Sequence, residues 1–316
     1  MLLRVIFCMV LLQGGNAFAQ IDARPSLQLP LAKQAVMLDL EAHENNVFAV
    51  GERGIILRST DEGASWEQLE SPIDVTLTGI SFSSDKEGWI VGHESTILHS
   101  IDGGATWAIN SYKPEDEKFY MSVNFVTPQL GYVQGTDGEL WVTEDAGKSW
   151  DVSILSVEEW YQNHLFAIET IGETALVAAE RGGVFYSEDG LTDWQPVPSP
   201  YDGSFFGVNK VANQYLIFGM SGQLYLIKPG TLEWVKINTE TDQFLLDSVA
   251  TADKQLVLVV GRGGVVLVLN KKGELVKKTE DSSRVDYTAV TVLGETVYLA
   301  SMAGGVRTMP LNKLTD

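Results

Sequence analysis

Arginine side chains recur in this sequence in short turns that follow apolar strands. Arg53, Arg181 and Arg262 each stand directly before a glycine. A guanidinium group recognises a carboxylate through paired, charge-assisted hydrogen bonds. If these turns share one face of the fold, the three arginines can bind an acidic segment of a partner protein.

Other polar residues occupy the matching turns, namely Glu52, His93 and Glu94. A histidine beside a glutamate suits a metal or a general base, yet the four histidines, at 43, 93, 99 and 164, show no ligand spacing such as HExxH. We therefore predict partner binding at these turn residues, with no metal site and no cofactor. Solvated charges that bind nothing are the alternative interpretation.

Three aromatic residues precede the third and fourth repeats of the chain: Tyr120, Trp160 and Tyr161. Exposed aromatic rings beside the charged turns would be good anchors for a partner. Packing into the core would explain the same residues equally well.

The turns recur with a period of about 40 residues, which is typical of blade-like repeats. Trp66, Trp107, Trp150, Trp194 and Trp234 are spaced by 41, 43, 44 and 40 residues. The first four each close an octet of the Asp-box type, such as SIDGGATW at 100–107. We predict a structural role for its residues: Asp accepts backbone hydrogen bonds of its own turn, Gly adopts a positive φ, and Trp packs against the next blade. The residues concerned are Asp61, Gly63, Trp66, Asp102, Gly104, Trp107, Asp145, Gly147, Trp150, Asp189 and Trp194.

Seven copies of the repeat can be aligned on a small residue that ends an apolar strand. These residues are Gly51, Gly92, Gly135, Ala179, Gly219, Gly261 and Ser301. One copy is predicted to hold four strands, at 77–82, 88–91, 96–100 and 107–111, with no long helix between copies. The sequence therefore predicts an all-β fold, a single seven-bladed β-propeller of four-stranded antiparallel blades over residues 20–316.

Closure of the ring needs one more strand, because the seventh copy ends after three strands, at 287–292, 296–300 and 305–308. Residues 26–31 alternate apolar and polar side chains, and Pro30 is tolerated on an edge strand. We predict that residues 26–31 pair with 305–308 as the missing outer strand.

The N-terminus indicates export. A basic start, an apolar run from Val5 to Leu12 and the small residues before Gln20 predict a signal peptide at 1–19, with cleavage after Ala19 and a periplasmic or secreted location. The single cysteine, Cys8, lies inside this leader, so no thiol chemistry remains. No later stretch is long enough to span a membrane. The net charge of −20 makes nucleic acid an unsuitable partner.

The chain resembles the photosystem II stability/assembly factor family. The resemblance rests on the sequence motif at 50–66, the Asp-boxes, the seven copies of the repeat and the export signal. Its members are lumenal propellers. The resemblance implies a non-enzymatic scaffold, connected with photosynthesis, that holds a membrane or envelope protein or its exposed segments during assembly. It also implies a basic patch on one face, which Arg53, Arg181 and Arg262 match in residue type.

Two other functions fit the same repeats. A sialidase-like glycosidase needs an arginine cluster, an acid and a tyrosine nucleophile paired with a glutamate. The sequence lacks the Arg-Ile-Pro phrase of that family, and no Tyr–Glu pair can be assigned from it. A carbohydrate-binding propeller is the second alternative.

Overall fold

The computed structural model describes residues 23–158 and 160–315, and strands account for nearly all of the regular structure. The strands form seven antiparallel sheets in chain order. Six sheets have four strands, and the seventh has three among the described residues. The predicted seven-bladed β-propeller is confirmed.

The strands of each blade run in order from the central channel outward. Blade one contains β1 (Met37–His43), β2 (Asn46–Gly51), β3 (Ile56–Ser59) and β4 (Glu67–Leu69). Blade two contains β5 (Leu77–Phe82), β6 (Gly88–Gly92), β7 (Thr96–Ser100) and β8 (Ala108–Ser111). Blade three contains β9 (Tyr120–Phe125), β10 (Gly131–Gly135), β11 (Glu139–Thr143) and β12 (Asp151–Ile154). Blade four contains β13 (Leu165–Ile171), β14 (Thr174–Ala179), β15 (Val184–Ser187) and β16 (Gln195–Pro196).

The remaining blades follow the same plan. Blade five contains β17 (Phe205–Val211), β18 (Gln214–Gly219), β19 (Leu224–Ile227) and β20 (Trp234–Lys236). Blade six contains β21 (Leu245–Ala250), β22 (Leu256–Gly261), β23 (Val265–Asn270) and β24 (Leu275–Glu280). Blade seven contains β25 (Tyr287–Leu293), β26 (Thr296–Ser301) and β27 (Val306–Pro310), and a short helix α1 (Asn312–Thr315) follows.

The core is divided among the blade interfaces. Buried apolar side chains form seven clusters, each of which joins two neighbouring blades. The second strands are almost completely buried because both of their faces are covered by adjacent blades. This explains why their sequences are continuous apolar runs rather than alternating ones.

The Asp-box tryptophans pack in the direction opposite to the predicted one. Trp107 of blade two lies in a cluster with Phe48 of blade one, and Trp66 of blade one packs edge-on against Tyr298 of blade seven. The prediction that they contact the next blade is wrong. The physical reason is the glycine of the same turn, which leaves room for the ring of the preceding blade: a Cβ on Gly104 would lie 2.7 Å from Phe48.

Each Asp-box carboxylate accepts hydrogen bonds from backbone and side-chain groups of its own turn. In blade one, the Ser65 N–H and hydroxyl donate to Asp61 at 2.8 and 2.5 Å, and the Gly63 N–H donates to the Ser59 hydroxyl at 2.9 Å. Equivalent bonds surround Asp102, Asp145 and Asp189. Because hydrogen bonds favour the ionised form, they lower the pKa of these carboxyls, that of Asp145 to about 2.

Ring closure differs from the prediction. Residues 26–31 form no strand and do not pair with β27; the Ser26 N–H donates to Ser71, and the Gln68 side chain bonds the backbone of residues 27 and 29. The amide of Gln68 thus takes the place of a sheet ladder and holds this segment on blade one. Blades seven and one are joined instead by side-chain packing and by hydrogen bonds, which include the Gly305 N–H to the Ala35 carbonyl at 2.8 Å and the Thr288 hydroxyl to the Met37 carbonyl at 2.7 Å.

Within residues 23–158 and 160–315, no helix has the length and apolar character needed to cross a bilayer. The leader that the sequence predicts at 1–19 lies outside the described residues.

Candidate functional site

The turns between second and third strands and the linkers between blades lie together on one face of the ring, here called the linker face. In all seven blades, the first residue of the turn donates its N–H to a carbonyl of the preceding linker, at 2.8 to 3.1 Å. The donors are Glu52, His93, Thr136, Glu180, Met220, Arg262 and Met302. This repeated bond fixes the height of every turn above the channel.

Small residues stand before these turns because the linker carbonyl passes close to them. A Cβ on Gly51 would lie 2.0 Å from the Val36 carbonyl oxygen, and one on Gly261 would lie 1.9 Å from that of Phe244. A side chain at either position would push the linker away from the blade. The alignment of the seven copies on this residue therefore has a steric cause.

The three predicted arginines do not occupy equivalent positions. Arg53 and Arg181 are the second turn residues and adopt positive φ values of 57 and 54°. Arg262 is the first residue of its turn, and Gly263 takes the positive φ. Glu94 stands where Arg53 stands, one blade further on, with a φ of 56°.

All three arginine side chains are exposed on the linker face, but they belong to blades one, four and six and do not form one cluster. The Arg181 guanidinium lies 4.4 Å above the Tyr161 ring, and that of Arg262 lies 4.6 Å above Phe244. Arg262 also approaches Asp286 at 3.9 Å. Blades four and six therefore present cations that are held against aromatic rings.

The predicted acidic residues are engaged within the protein. Glu52 accepts a hydrogen bond from the Val36 N–H at 3.1 Å, and Glu94 accepts one from the Tyr112 hydroxyl at 2.7 Å. The His93 ring packs at a tilt of 37° against Phe119, with ring centroids 4.4 Å apart, and burial lowers the pKa of its imidazole. These contacts hold the linkers against the turns.

An apolar ring at the mouth of the channel was not predicted from the sequence. One residue of each inner strand bulges out of register and lines a cavity of about 310 Å³. These residues are Leu38, Thr78, Met121, Phe166, Phe206, Leu246 and Thr288. Aligning the copies on the first buried residue of each inner strand would have found them, because the bulge always comes directly after it.

The aromatic side chains concentrate in one sector of this surface. Phe166 packs edge-on against Phe206, which in turn contacts Phe244 beneath Arg262, with centroids 5.3 and 5.9 Å apart. Of the three aromatic residues singled out in the linkers, Tyr120 is buried, whereas Trp160 is 74% exposed. Tyr161 lies under Arg181. Blades four to six thus combine exposed cations with accessible rings.

Carboxyl groups line the channel below the apolar mouth. Burial raises the pKa of Asp39 to about 6, and burial and mutual repulsion raise those of Glu41 and Asp247 to about 8. Asp39 and Asp247 each accept the N–H of a residue in the following blade, Ile80 and Val290, at 2.8 and 2.7 Å. These two carboxyl groups therefore link the inner strands of adjacent blades by hydrogen bonds, and they also place titratable groups in the channel.

The structure contains Tyr–Glu pairs that the sequence did not reveal. The Tyr161 hydroxyl donates to Glu180 at 2.7 Å beside Arg181, and Tyr112 donates to Glu94. The hydrogen bond to Glu180 raises the pKa of Tyr161, which disfavours the phenolate that a nucleophile requires. Among the described residues, no group of three His, Cys, Asp or Glu side chains is placed to hold a metal ion.

Comparison with known proteins identifies relatives over most of the propeller. A protein of Arabidopsis thaliana, the chloroplastic photosystem II stability/assembly factor HCF136, is 26% identical over 239 residues, which are 66% of this chain and 59% of that protein. The photosystem II assembly lipoprotein Ycf48 of Synechococcus sp. (strain CC9902) is 24% identical over 236 residues, 72% of this chain and 70% of that protein.

A solved structure of YCF48 bound to D1 peptide has the same fold, with a TM-score of 0.68 and 19% identity over 92% of this chain and 97% of that one. The family model of the photosynthesis system II assembly factor YCF48 matches residues 62–310, which run from the last strand of blade one to the end of blade seven. Because this match covers well over half of the sequence, it shows that this chain belongs to the photosynthesis system II assembly factor YCF48 family.

Proposed function

We infer that this protein is a non-enzymatic, exported scaffold that binds a segment of a membrane protein during photosystem II assembly. The observation that carries this proposal is the pairing of Arg181 and Arg262 with aromatic rings in the sector of blades four to six, beside the apolar channel mouth. Family membership supports it, as does the solved relative described with a D1 peptide.

The surface in blades four to six suits an extended acidic segment with apolar side chains. The rings beneath the two guanidinium groups hold them in place, so less side-chain entropy is lost when they bind a carboxylate. The apolar mouth between them, with Phe166 and Phe206, offers a place for the side chains of the segment. We include Arg53 as a weaker contributor because it lies in blade one, away from these rings.

A capture experiment tests this surface. Detergent-solubilised membranes from the source cells are passed over the immobilised protein after leader removal, and retained membrane proteins are identified. The variant Arg181→Glu/Arg262→Glu should lose capture at least tenfold, while Lys86→Glu/Lys148→Glu, which changes the net charge equally on the opposite face, should retain it.

Equal capture by both variants would place the partner on another face. Hydrolysis of a fluorogenic sialoside by the wild-type protein, lost in the Arg181→Glu variant, would replace the scaffold with the glycosidase alternative. Capture on a glycan array without any membrane protein would favour the carbohydrate-binding alternative.

Export is the second part of the proposal. The leader predicted at 1–19 and the chloroplastic and lipoprotein relatives support placement outside the cytoplasm, in a periplasmic or lumenal compartment. Intact-mass measurement of the exported protein should give a chain that begins at Gln20. A retained leader, or a lipid on Cys8, would show that the proposed processing is wrong.

A further inference from the structure

The face opposite the linker face, which carries the Asp-box turns, contains a cavity between blades five and six. Its volume is about 400 Å³, within the range of small-molecule sites. The floor includes Val211 and Val257, which are nearly fully buried, and the half-buried Ala250. A molecule in this cavity would therefore rest on apolar surface.

Three lysines surround the cavity, although the chain is strongly acidic. Lys210 lies near the end of β17 in blade five, Lys254 in the turn between the first and second strands of blade six, and Lys271 in the turn between the third and fourth strands of blade six. Within residues 23–158 and 160–315, none of the three has an ion pair with a carboxylate. Their charges are therefore available to a ligand.

The neighbouring acidic and polar groups are largely engaged elsewhere. Asp253, beside Lys254, accepts hydrogen bonds from the Thr251 hydroxyl and the Gln255 N–H within its own turn. Asn209 donates its amide to Ser248. Among the described residues, Glu169 is the one carboxyl in the cavity wall; burial raises its pKa, it accepts the N–H of Thr170, and it interacts electrostatically with Lys210. The three lysines are thus opposed by one carboxyl group in the cavity wall, Glu169, whose burial disfavours its charged form.

We propose that this cavity binds a small organic anion, with its apolar body on the Val211 and Val257 floor and its anionic group among Lys210, Lys254 and Lys271. The site lies on the face opposite the partner surface, so it does not depend on the function proposed above. The charge of the rim selects an anion over a neutral molecule, and the floor selects an apolar body over a hydrated inorganic ion.

Two fluorescent probes with the same ring system test both halves of this proposal. 8-Anilinonaphthalene-1-sulfonate carries a sulfonate, and N-phenyl-1-naphthylamine is its uncharged counterpart. The sulfonate probe should bind with one-to-one stoichiometry and about tenfold more tightly than the neutral one, as expected for three solvent-exposed charge contacts. Only the binding of the sulfonate should weaken as the salt concentration rises.

Variants locate the site. Lys210→Gln/Lys254→Gln/Lys271→Gln should weaken binding of the sulfonate about tenfold and leave the neutral probe unchanged, whereas the control Lys86→Gln/Lys148→Gln/Lys228→Gln should change neither. Ala212→Phe, at the exposed edge of the cavity, should exclude both probes. Near-ultraviolet circular dichroism confirms that each variant is folded.

Sulfonate binding that survives the triple lysine change, or equal affinity for the two probes, would overturn the proposal. Binding of both probes in the folded Ala212→Phe variant would place them elsewhere on the protein. Inorganic sulfate that competes as well as the organic anion would also overturn it, because the apolar floor would then contribute nothing.

Discussion

Blades one to four differ from blades five and six in how they build the turn between the third and fourth strands. In the first four, an aspartate gathers the hydrogen bonds of the turn, as Asp145 does with Ser149 at 2.9 and 2.6 Å. In blade six, the Asn270 side chain accepts from Lys272 and Glu274, and in blade five the backbone alone closes the turn, from Leu232 to Lys228. The fold requires a closed turn but not an aspartate.

The difference extends to what each turn does for its neighbour. In blades one to four, the turn glycine fits against an aromatic or phenolic group of the preceding blade, such as Trp89 beside Gly147. A Cβ on Gly230 of blade five would meet no atom of the described residues within 4 Å. Blade five is free of this packing constraint, whereas in blade six a Cβ on Gly273 would lie 2.7 Å from Leu226 of blade five. Loss of the Asp-box is therefore accompanied by loss of this contact in blade five but not in blade six.

The largest expected effect is on the interface tryptophans. Trp107→Ala should reduce the free energy of unfolding by about 3–5 kcal/mol, because it removes a 7% exposed ring from between blades one and two. Trp234→Ala in blade five, where the ring is half-buried, should cost about 2 kcal/mol. Urea unfolding with unchanged m-values measures both. Equal costs would remove the contrast between the two sectors.

A matched pair of glycines sharpens the comparison. Gly147 and Gly230 have φ values of 73 and 80°, so alanine is strained at either position. At Gly147 the added Cβ would also lie 2.3 Å from the Trp89 ring. Gly147→Ala should therefore cost about 3 kcal/mol and Gly230→Ala about 1 kcal/mol. Thermal unfolding of the two variants would contradict this interpretation if Gly230→Ala were the less stable.

The inner strands of the blades also differ at the position after the bulge. Blades one and six have Asp39 and Asp247 there, whereas blades two and five have Gly79 and Gly207, and the pH dependence of stability tests this difference. The folded pKa of Asp247, about 8, exceeds that of an unfolded aspartate, so the folded state binds the extra proton between about pH 4 and 8. Stability should therefore fall as the pH rises through this range. Asp247→Asn keeps an acceptor for Val290 and should flatten the fall in melting temperature, whereas the exposed Asp242→Asn should not.

The smallest expected effect is that of the linker-face arginines on stability. Arg181→Gln and Arg262→Gln should each change the free energy of unfolding by less than about 1 kcal/mol, because both side chains are exposed. Chemical denaturation checks this value. A larger loss would mean that the guanidinium groups support the rings beneath them, and that loss of partner capture in their variants reflects damage to the fold.

The repeat in the sequence was sufficient to predict seven blades, the strands within them and the common face of the turns. The period of about 40 residues survives wherever a small residue must admit the linker carbonyl, as at Gly51 and Gly261. The repeat could not show the direction in which Trp107 packs, because both adjacent blades offer an apolar surface. Nor could it place residues 26–31, where the Gln68 amide competes with a sheet ladder for the same backbone groups.

The same distinction between features visible in the sequence and features visible only in the fold applies to the candidate surfaces. The family resemblance, the charged turn residues and the acidic character of the chain follow from the sequence, because they depend on residue type and local spacing. The contacts of Arg181 with Tyr161 and of Arg262 with Phe244, and the meeting of lysines from two blades around one cavity, became visible in the folded structure. Such contacts join residues from different strands, linkers and blades, and their distances depend on how the ring closes rather than on any local pattern.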